Sequence, residues 1–258
     1  MARTLALRVL EGHGRAYRHT WRGTTITALL TPVLFLAAMG VGVGTLVDEG
    51  RAGGVDGVSY LLWLAPGLLA ASAMQSGAGD GAFPVMAGMR WIRTYHAAIH
   101  TPVRPRDLYL GNLGWAGLRL VVLGTAFVAV AAAFGALGLV RGLLAVPAAV
   151  LTGVATCAAV SAVIATRDRD QALAGMFRFV VVPMFLFSGT FFPVDRLPEP
   201  LQPVVVLIPL WHGVELTRAV VLGGGPALAW WVHVTALVVL LVGAALVGVR
   251  TFERRLLP

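Results

Sequence analysis

Six long apolar stretches constrain the fold of this chain more than any other feature. Each contains about 20 or more mostly apolar residues, which is the length that a helix needs to cross a lipid bilayer. They cover approximately residues 24–47, 58–78, 113–137, 142–165, 172–192 and 229–249, and we number them one to six. This pattern predicts an all-α integral membrane protein with six transmembrane helices.

Composition supports the membrane assignment and excludes two classes of protein. Apolar residues make up 58% of the 258 residues before the 31 glycines are counted, whereas soluble domains contain about 45–50% with glycine included. A water-soluble globule could not bury that much apolar surface, and a disordered chain would be more polar. No internal repeat or low-complexity linker divides the sequence, so residues 1–258 are predicted to form one membrane domain.

The placement of arginine predicts the orientation in the membrane. Fourteen arginines lie in the N-terminal segment, in the connections after stretches two and four, and after stretch six, whereas four lie in the other connections. Because arginine-rich connections stay in the cytoplasm, both termini are predicted to be cytoplasmic. Arg119 and Arg178 lie inside stretches three and five. Either they snorkel to the interface, which we favour, or they face a polar cavity.

The basic residues also exclude several kinds of chemistry. All 20 are arginine, so a nucleotide-binding P-loop and a Schiff-base site, which both need lysine, are absent. We therefore expect no cofactor on this chain, and any ATP must be bound by another chain. The single cysteine, Cys157, lies in an apolar stretch and is expected to be packing volume.

Two cytoplasmic segments do not fit a plain helical bundle. Residues 1–23 mix apolar side chains with arginine and predict an amphipathic helix on the inner leaflet; a solvated basic tail is the alternative. The connection 79–112 is long for a bundle. Its middle part, 89–99, predicts a helix with either Trp91 or Ile92 on one face together with Tyr95 and Ile99, and the following prolines end it. This helix is either a rigid lever for a cytoplasmic partner or an ordinary interfacial helix.

A third segment, residues 188–225, lies outside the membrane by the arginine count. Its two apolar pieces, 204–211 and 214–222, are each too short to span, and five prolines interrupt the segment. Irregular backbone at membrane depth is stable only when it is buried in protein or lines a cavity. We therefore predict an external re-entrant helical hairpin. Glu215 and Arg218 are three residues apart on its second helix and are expected to pair.

A membrane enzyme is the competing class, and its usual signatures are missing. No serine lies in a G-x-S-x-G turn and there is no H-E-x-x-H. His96 and His100 are spaced like two metal ligands, but only the distant Asp107 could join them, so we expect no metal site. Glu215 is the only acidic residue that we assign to a membrane segment, which argues against acid–base chemistry there. The arginines are spread over four segments, so nucleic acid is not an expected partner.

Two pairs of motifs resemble a known family. The strings FLFSGTFFP at 185–193 and PLWHGVELTR at 209–218 resemble the C-terminal signature of ABC-2 exporter permeases. The strings LAPG at 64–67 and TPVRPRD at 101–107 resemble the nodulation-factor and lipooligosaccharide branch of that family. The resemblance runs in order from about residue 15 to the C-terminus.

The resemblance implies a transport mechanism and its partners. Such permeases are dimers of six-helix subunits in the bacterial cytoplasmic membrane, and each subunit engages a cytoplasmic ATP-binding-cassette ATPase that carries ATP and magnesium. Residues 1–23 would form an inner gate, and the hairpin would narrow the exit. The connection 79–112 would contain the coupling helix, with the candidate contacts Arg90, Trp91, Arg93, Tyr95, His96 and Arg104. His96 stands where relatives often carry an acidic residue, so the ATPase contact is expected to be specific to its own partner.

The expected function is export, driven by ATP-induced closure of the ATPase pair. Aromatic faces suit both sugar rings and lipid chains, and the candidates for lining the path are Trp63, Trp115, Phe191, Phe192 and Trp211; membrane-interface belt positions are the alternative. The branch suggests a lipid-linked oligosaccharide or another glycolipid as substrate. A drug or natural-product efflux permease has the same outline and remains the alternative.

Overall fold

The computed structural model describes residues 2–43, 55 and 57–257. In that part of the chain every regular element is a helix, apart from an isolated antiparallel bridge between Val55 and Val58. We number the helices α1 (Ala2–Phe35, extended by a π-helical segment, Leu36–Val43), α2 (Tyr60–Met86, followed by a π-helical turn, Ala87–Trp91), α3 (Thr94–Ala98), α4 (Pro105–Ala133), α5 (Leu139–Ile164), α6 (Gln171–Phe187, with a π-helical turn at Phe177–Val181), α7 (Gln202–Val206), α8 (Pro209–Leu222) and α9 (Trp230–Leu256). A short 3₁₀ turn covers Val194–Arg196.

Three helices of the described residues are long and apolar enough to cross a membrane: α4, α5 and α9. With 26 to 29 residues each, they are about 40 Å long, which exceeds the hydrocarbon thickness of a bilayer. The other three predicted spans, stretches one, two and five, are not among these long apolar helices. Stretch one ends outside the described residues, α2 carries polar side chains, and α6 is shorter. The number of six spans therefore stays a prediction.

We predicted that the N-terminal segment forms a separate amphipathic helix. In the structure it is instead the first part of the 34-residue helix α1. Its apolar side chains pack on the beginning of α4. Val9 lies against Gly111 and Leu10 against Gly114, positions where the missing side chains let the two helices approach closely. Protein therefore covers apolar side chains that the sequence pattern assigned to the lipid surface.

The predicted connection 79–112 is much shorter than we expected. Helix α2 continues to Met86 and α4 begins at Pro105, so both ends of the predicted connection are helical. Glycine and Pro84 made this region resemble a loop, but Gly81 lies where a β-carbon would come within 2.5 Å of the carbonyl oxygen of Cys157 in α5. Close packing on α5, which only small residues allow, explains these glycines.

The predicted helix over 89–99 is also wrong. The π-helical turn ends at Trp91, and Arg93 has a left-handed backbone with φ 58° before α3 begins. This break turns the chain, so Trp91 and Tyr95 do not share a face. Trp91 is half exposed, whereas Tyr95 is buried against Gly88 and Phe252.

Helix α5 lies at the centre of the bundle, against α2, α4, α8 and α9. Its closest neighbour is α2, because small residues meet at the crossing. A β-carbon on Gly77 would overlap the backbone of Gly153, and one on Gly153 would lie 2.6 Å from the carbonyl oxygen of Ala73. Small residues spaced by four are the pattern by which membrane helices pack closely.

Helix α8 brings the predicted hairpin into the bundle. It begins at Pro209 and continues to Leu222. The break between the two hairpin helices therefore lies at 207–208, whereas we predicted it at 212–213. Gly213 packs on Thr152, halfway along α5, and the helix ends at Gly223, whose φ of 79° favours glycine. Arg141, at the beginning of α5, donates to the carbonyl of Val221. The N-terminus of α8 therefore lies deep, and its C-terminus lies at one end of α5.

Different segments meet at the two opposite ends of α5, the hairpin end and the basic end. The hairpin end contains the beginnings of α5 and α9 and the C-terminus of α8. The basic end contains residues 87–104, the connection 165–170 and Arg255. Four of the six candidate coupling residues, Arg90, Trp91, Arg93 and Arg104, are exposed at the basic end, while Tyr95 is buried and His96 is half-buried.

Candidate functional site

The bundle interior contains an ion pair that sequence analysis missed. Asp80 of α2 contacts Arg119 of α4, and the two side chains are only 11% and 20% exposed. Stretch two was predicted to end at residue 78, whereas α2 continues past Asp80 and places this acidic residue on a helix of the bundle. The predicted snorkelling of Arg119 is wrong, since this guanidinium turns inward to the carboxylate. Buried charges of this kind are stable when they are paired.

A second cluster of charges joins three segments at the basic end. Arg90 donates to the carbonyl oxygen of Asp168 at 3.0 Å, and Arg255 donates to the carboxylate of Asp168 at 2.7 Å. Trp91 donates its ring N–H to the carboxylate of Asp170 at 3.0 Å. The residues before α3, the connection 165–170 and the end of α9 are thus held together. Two of the candidate coupling residues contact acidic residues that we had not singled out.

A hydrogen-bonded chain links the N-terminal segment with the residues around α3. The Asn112 amide donates to the Tyr95 hydroxyl at 2.6 Å, and its oxygen is 2.7 Å from Nε2 of His13. Because an amide oxygen only accepts, His13 is the donor. Burial raises the pKa of Tyr95 well above its usual range, so the hydroxyl stays protonated. Asn112 therefore bridges α1 and α3.

The predicted path residues do not line one surface. Trp63 and Trp211 are buried inside this chain, with 1% and 4% of their surfaces exposed. Phe191 and Phe192 are half-buried, and Phe191 packs against Phe35 and Phe185. Trp115 packs on His13 and Tyr17 near the N-terminal end of α1. Phe191 also packs against the buried cluster that contains Trp63. Trp115, in contrast, contacts α1.

Arg218 of α8 contacts α2, the segment after α6 and Glu215 of its own helix. Its guanidinium lies 3.8 Å from the ring centre of Trp63 and donates to the carbonyl of Gly189 at 3.1 Å. The Glu215 carboxylate is 3.8 Å away, so the expected pair is present. Glu215 also accepts from the backbone N–H of Ala227. This pair ties α8 to α2 and to the segments on both sides of the hairpin.

Two histidines join α8 to α9 near the hairpin end. Their Nδ1 atoms, on His212 and His233, are 2.9 Å apart, and Trp211 packs on both rings. A hydrogen bond between two ring nitrogens needs one donor and one acceptor, so at least one ring is neutral. Sequence analysis missed this pair because 21 residues separate its members.

These contacts connect helices and leave few groups for covalent chemistry. In the described ranges, no three or more His, Cys, Asp or Glu residues come close enough to hold a metal ion. The polar groups join α2 to α4, α1 to α3, α8 to α9, and the end of α9 to the connection 165–170. Such contacts fix the relative positions of these elements.

Comparisons with known proteins agree with the resemblance in the sequence. The profile of the ABC-2 type transporter family matches residues 13–222. Nodulation protein J of Rhizobium meliloti is 33% identical over 242 residues, which is 92% of this chain and 90% of the relative. Nodulation protein J of Sinorhizobium fredii is 34% identical over 244 residues, with the same coverage.

A further match covers about a quarter of the chain. The capsule polysaccharide export inner-membrane protein CtrC of Neisseria meningitidis is 40% identical over 73 residues, which is 27% of this chain and 26% of the relative. The family profile covers most of the chain, and the apolar helices agree with an integral membrane protein. This protein belongs to the ABC-2 type transporter family as an integral membrane transport subunit.

Proposed function

We propose that this chain is the permease of an exporter that moves a lipid-linked oligosaccharide or another glycolipid outward across the bacterial cytoplasmic membrane. The similarity to Nodulation protein J over 92% of the chain is the observation that carries this proposal. The short match to a capsule polysaccharide export protein supports a saccharide group in the substrate. Hydrophobic chains and sugar rings both pack on aromatic side chains.

ATP hydrolysis is assigned to a separate ATP-binding-cassette subunit, in two copies, with its own ATP and magnesium. The absence of lysine supports this division, because no P-loop can form on this chain. The exposed side chains of Arg90, Trp91, Arg93 and Arg104 are the proposed contact with that ATPase. His96 and buried Tyr95 would position this surface from behind.

The proposed orientation places the basic end in the cytoplasm, with both termini on that side and six membrane crossings. The arginine distribution supports this orientation. The domain then consists of an N-terminal segment 1–23 at the inner interface, a coupling region within 79–112, and an external re-entrant hairpin within 188–225. The depth of α8 beside Thr152 supports the re-entrant assignment.

A second copy of this chain completes the proposed transport path. Helix α9 exposes much of its apolar surface, including Trp231 and Val239, and this surface is available to lipid or to another subunit. We place Phe191 and Phe192 on the path at the hairpin end and Trp115 near the basic end. Trp63 and Trp211 would reach the path only if α8 moved away from α2.

The chain of hydrogen bonds through Asn112 provides a route from the proposed ATPase contact to the proposed inner gate. A displacement of α3 by the ATPase would move Tyr95, and the hydrogen bonds would pass this movement to His13 of α1. Tyr95 packs on Phe252 of α9, so the same displacement would reach a membrane-crossing helix. This geometry supports an inner gate that responds to the ATPase.

Efflux of a hydrophobic compound is the second candidate function. An apolar groove of about 340 Å³ lies between α6 and the segment 197–208. Its lining includes Phe179, Met184, Leu197 and Ile208. A groove of this volume and polarity suits a drug-sized apolar molecule or a lipid chain.

Purification of the tagged chain from its native membrane in mild detergent tests the proposal. We expect an ATP-binding-cassette subunit to co-purify in equal amount and to hydrolyse ATP with vanadate sensitivity. Stimulation of that hydrolysis by lipid-linked oligosaccharide rather than by apolar drugs would support glycolipid export. A chain that purifies without any ATPase would contradict the exporter assignment.

A further inference from the structure

A small polar cavity lies at the basic end, beside the Asp168 cluster. It has a volume of about 70 Å³, which is room for several water molecules or one tetrahedral anion. Its lining residues come from the turn after α2, from α3, from the connection after α5, and from the end of α9: Met89, Arg90, His96, Ala165, Arg167 and Arg255. Three segments that are distant in the sequence, 89–96, 165–167 and the end of α9, therefore converge on one cavity.

Positive charge dominates this cavity. Three guanidinium groups line it, and none of its lining residues is acidic. Among the described residues, Asp168 is the one carboxylate that pairs with these arginines, and it is shared between Arg90 and Arg255. The three positive charges of the lining exceed that single paired negative charge, which favours an anionic ligand.

Hydrogen-bond donors also remain available in the cavity. Arg255 uses Nε and Nη2 for the carbonyls of Ala165 and Thr166 and for Asp168, which leaves both N–H groups of Nη1. Nδ1 of His96 is buried and has no hydrogen-bond partner among the residues that the structure describes. A buried ring nitrogen of this kind is normally satisfied by water or by a ligand.

We propose that this cavity is a binding site for a phosphate group. Guanidinium groups bind phosphate through paired, charge-assisted hydrogen bonds, and a small cavity lined by three of them suits that geometry. The phosphate is carried by an anionic lipid headgroup or is a free phosphate ion. This ligand is additional to the transport substrate and to the ATP of the partner subunit.

The position of the cavity agrees with a phosphate at the membrane surface. It lies where α5 and α9 end, and both helices are long enough to cross the membrane. Trp91, which is half exposed, follows Arg90 directly; tryptophan beside arginine is typical of the headgroup region. Arg90 also belongs to the proposed coupling surface, so an acidic side chain of the ATPase is the competing occupant, and the test below separates the two.

The test measures thermal unfolding of this chain, expressed and purified alone so that no ATPase is present. In detergent, sodium phosphate is titrated against sodium chloride at equal ionic strength. In parallel, nanodiscs of phosphatidylcholine are compared with nanodiscs that also contain phosphatidylglycerol. We expect phosphate or phosphatidylglycerol to raise the unfolding temperature. An effect of phosphate in detergent indicates a free ion, whereas an effect of phosphatidylglycerol alone indicates a lipid headgroup.

Arg167→Ala and Arg169→Ala are the matched variants, because both arginines are exposed in the same connection but only Arg167 lines the cavity. Loss of a charged hydrogen bond is expected to weaken the apparent affinity about tenfold in Arg167→Ala and to leave Arg169→Ala unchanged. Equal losses in both variants, or no stabilisation of the original chain by either probe, would overturn the proposal. In a separate co-purification with the ATPase, loss of ATPase binding by Arg167→Ala without any phosphate effect would overturn the proposal and assign the cavity to a protein contact. Because no ATPase is present in the unfolding measurements, failure there leaves the exporter function intact.

Discussion

Asp80 in α2 and Arg119 in α4 form an ion pair inside the helical bundle, 39 positions apart in the sequence. Oδ2 of Asp80 and Nε of Arg119 are buried and have no hydrogen-bond partner within the described part of the chain. Each charge therefore depends on the other for most of its compensation. Such a pair fixes the relative position of its two helices.

Removal of one member of this pair is expected to destabilise the protein strongly. Asp80→Asn leaves a buried guanidinium without its counter-charge, a change that costs about 3–5 kcal/mol in buried pairs. We expect a lower unfolding temperature in detergent by scanning fluorimetry. The double variant Asp80→Asn/Arg119→Gln removes both charges and should recover part of the loss. A double variant less stable than both single variants would contradict this account.

The close crossing of α2 and α5 predicts opposite results for two glycines of the same helix. Gly77→Ala places a β-carbon against the backbone of Gly153, which must push the helices apart. The expected loss is about 1–3 kcal/mol in unfolding free energy. Gly79→Ala is the matched control, because open space surrounds its β-carbon position and alanine favours the helix by about 0.5–1 kcal/mol. Comparable destabilisation by both changes would show that helix contact is not the cause.

If Asn112 links the ATPase contact to α1, its removal should uncouple transport from ATP hydrolysis and leave the complex with the ATPase assembled. Asn112→Leu removes the hydrogen bonds to Tyr95 and His13 while keeping a side chain of similar size. In the complex with its ATPase, we expect hydrolysis to continue and substrate transport into inverted vesicles to fall severalfold. Tyr95→Phe, which removes one of the two bonds, should have a smaller effect. Normal transport by Asn112→Leu would exclude this route.

The Asp168 cluster predicts a small effect on stability and a larger one on ATPase binding. Its side chains are between 38% and 57% exposed, and exposed ion pairs contribute about 0–1 kcal/mol. Asp168→Asn should therefore hardly change the unfolding temperature. It should weaken ATPase co-purification, because Arg90 and Arg255 lose the negative charge that they share, while Arg90 keeps its hydrogen bond to the backbone carbonyl of residue 168. Asp195→Asn, in an exposed pair outside the basic end, is the control and should bind the ATPase normally.

Local patterns in the sequence were sufficient for the helical class, the family and the Glu215–Arg218 pair. Length and apolar composition identify membrane helices because an apolar run must avoid water whatever its neighbours are. A pair three residues apart on one helix is predictable because its geometry is local. The motifs at 185–193 and 209–218 are likewise local, and the family match across residues 13–222 agrees with them.

Element boundaries were harder to predict, because neighbouring helices decide them. Gly77, Gly79 and Gly81 suggest the end of a helix when they are considered alone. In the structure α2 continues through them, because small residues let it pack on α5. The left-handed backbone of Arg93 has no signal in the sequence, since a non-glycine residue in this region is held there by its surroundings.

The all-helical class, the ABC-2 family and the lack of a P-loop lysine follow from the order of residues alone. The pairing of charges follows from the packing of the helices: Asp80 with Arg119, Asp168 with Arg90 and Arg255, and His212 with His233. The difference lies in the range of the interactions. Hydrophobicity acts on each residue through its own contact with solvent or lipid. An ion pair or a hydrogen bond instead needs two groups within a few ångströms, and the packing of helices distant in the sequence decides that distance.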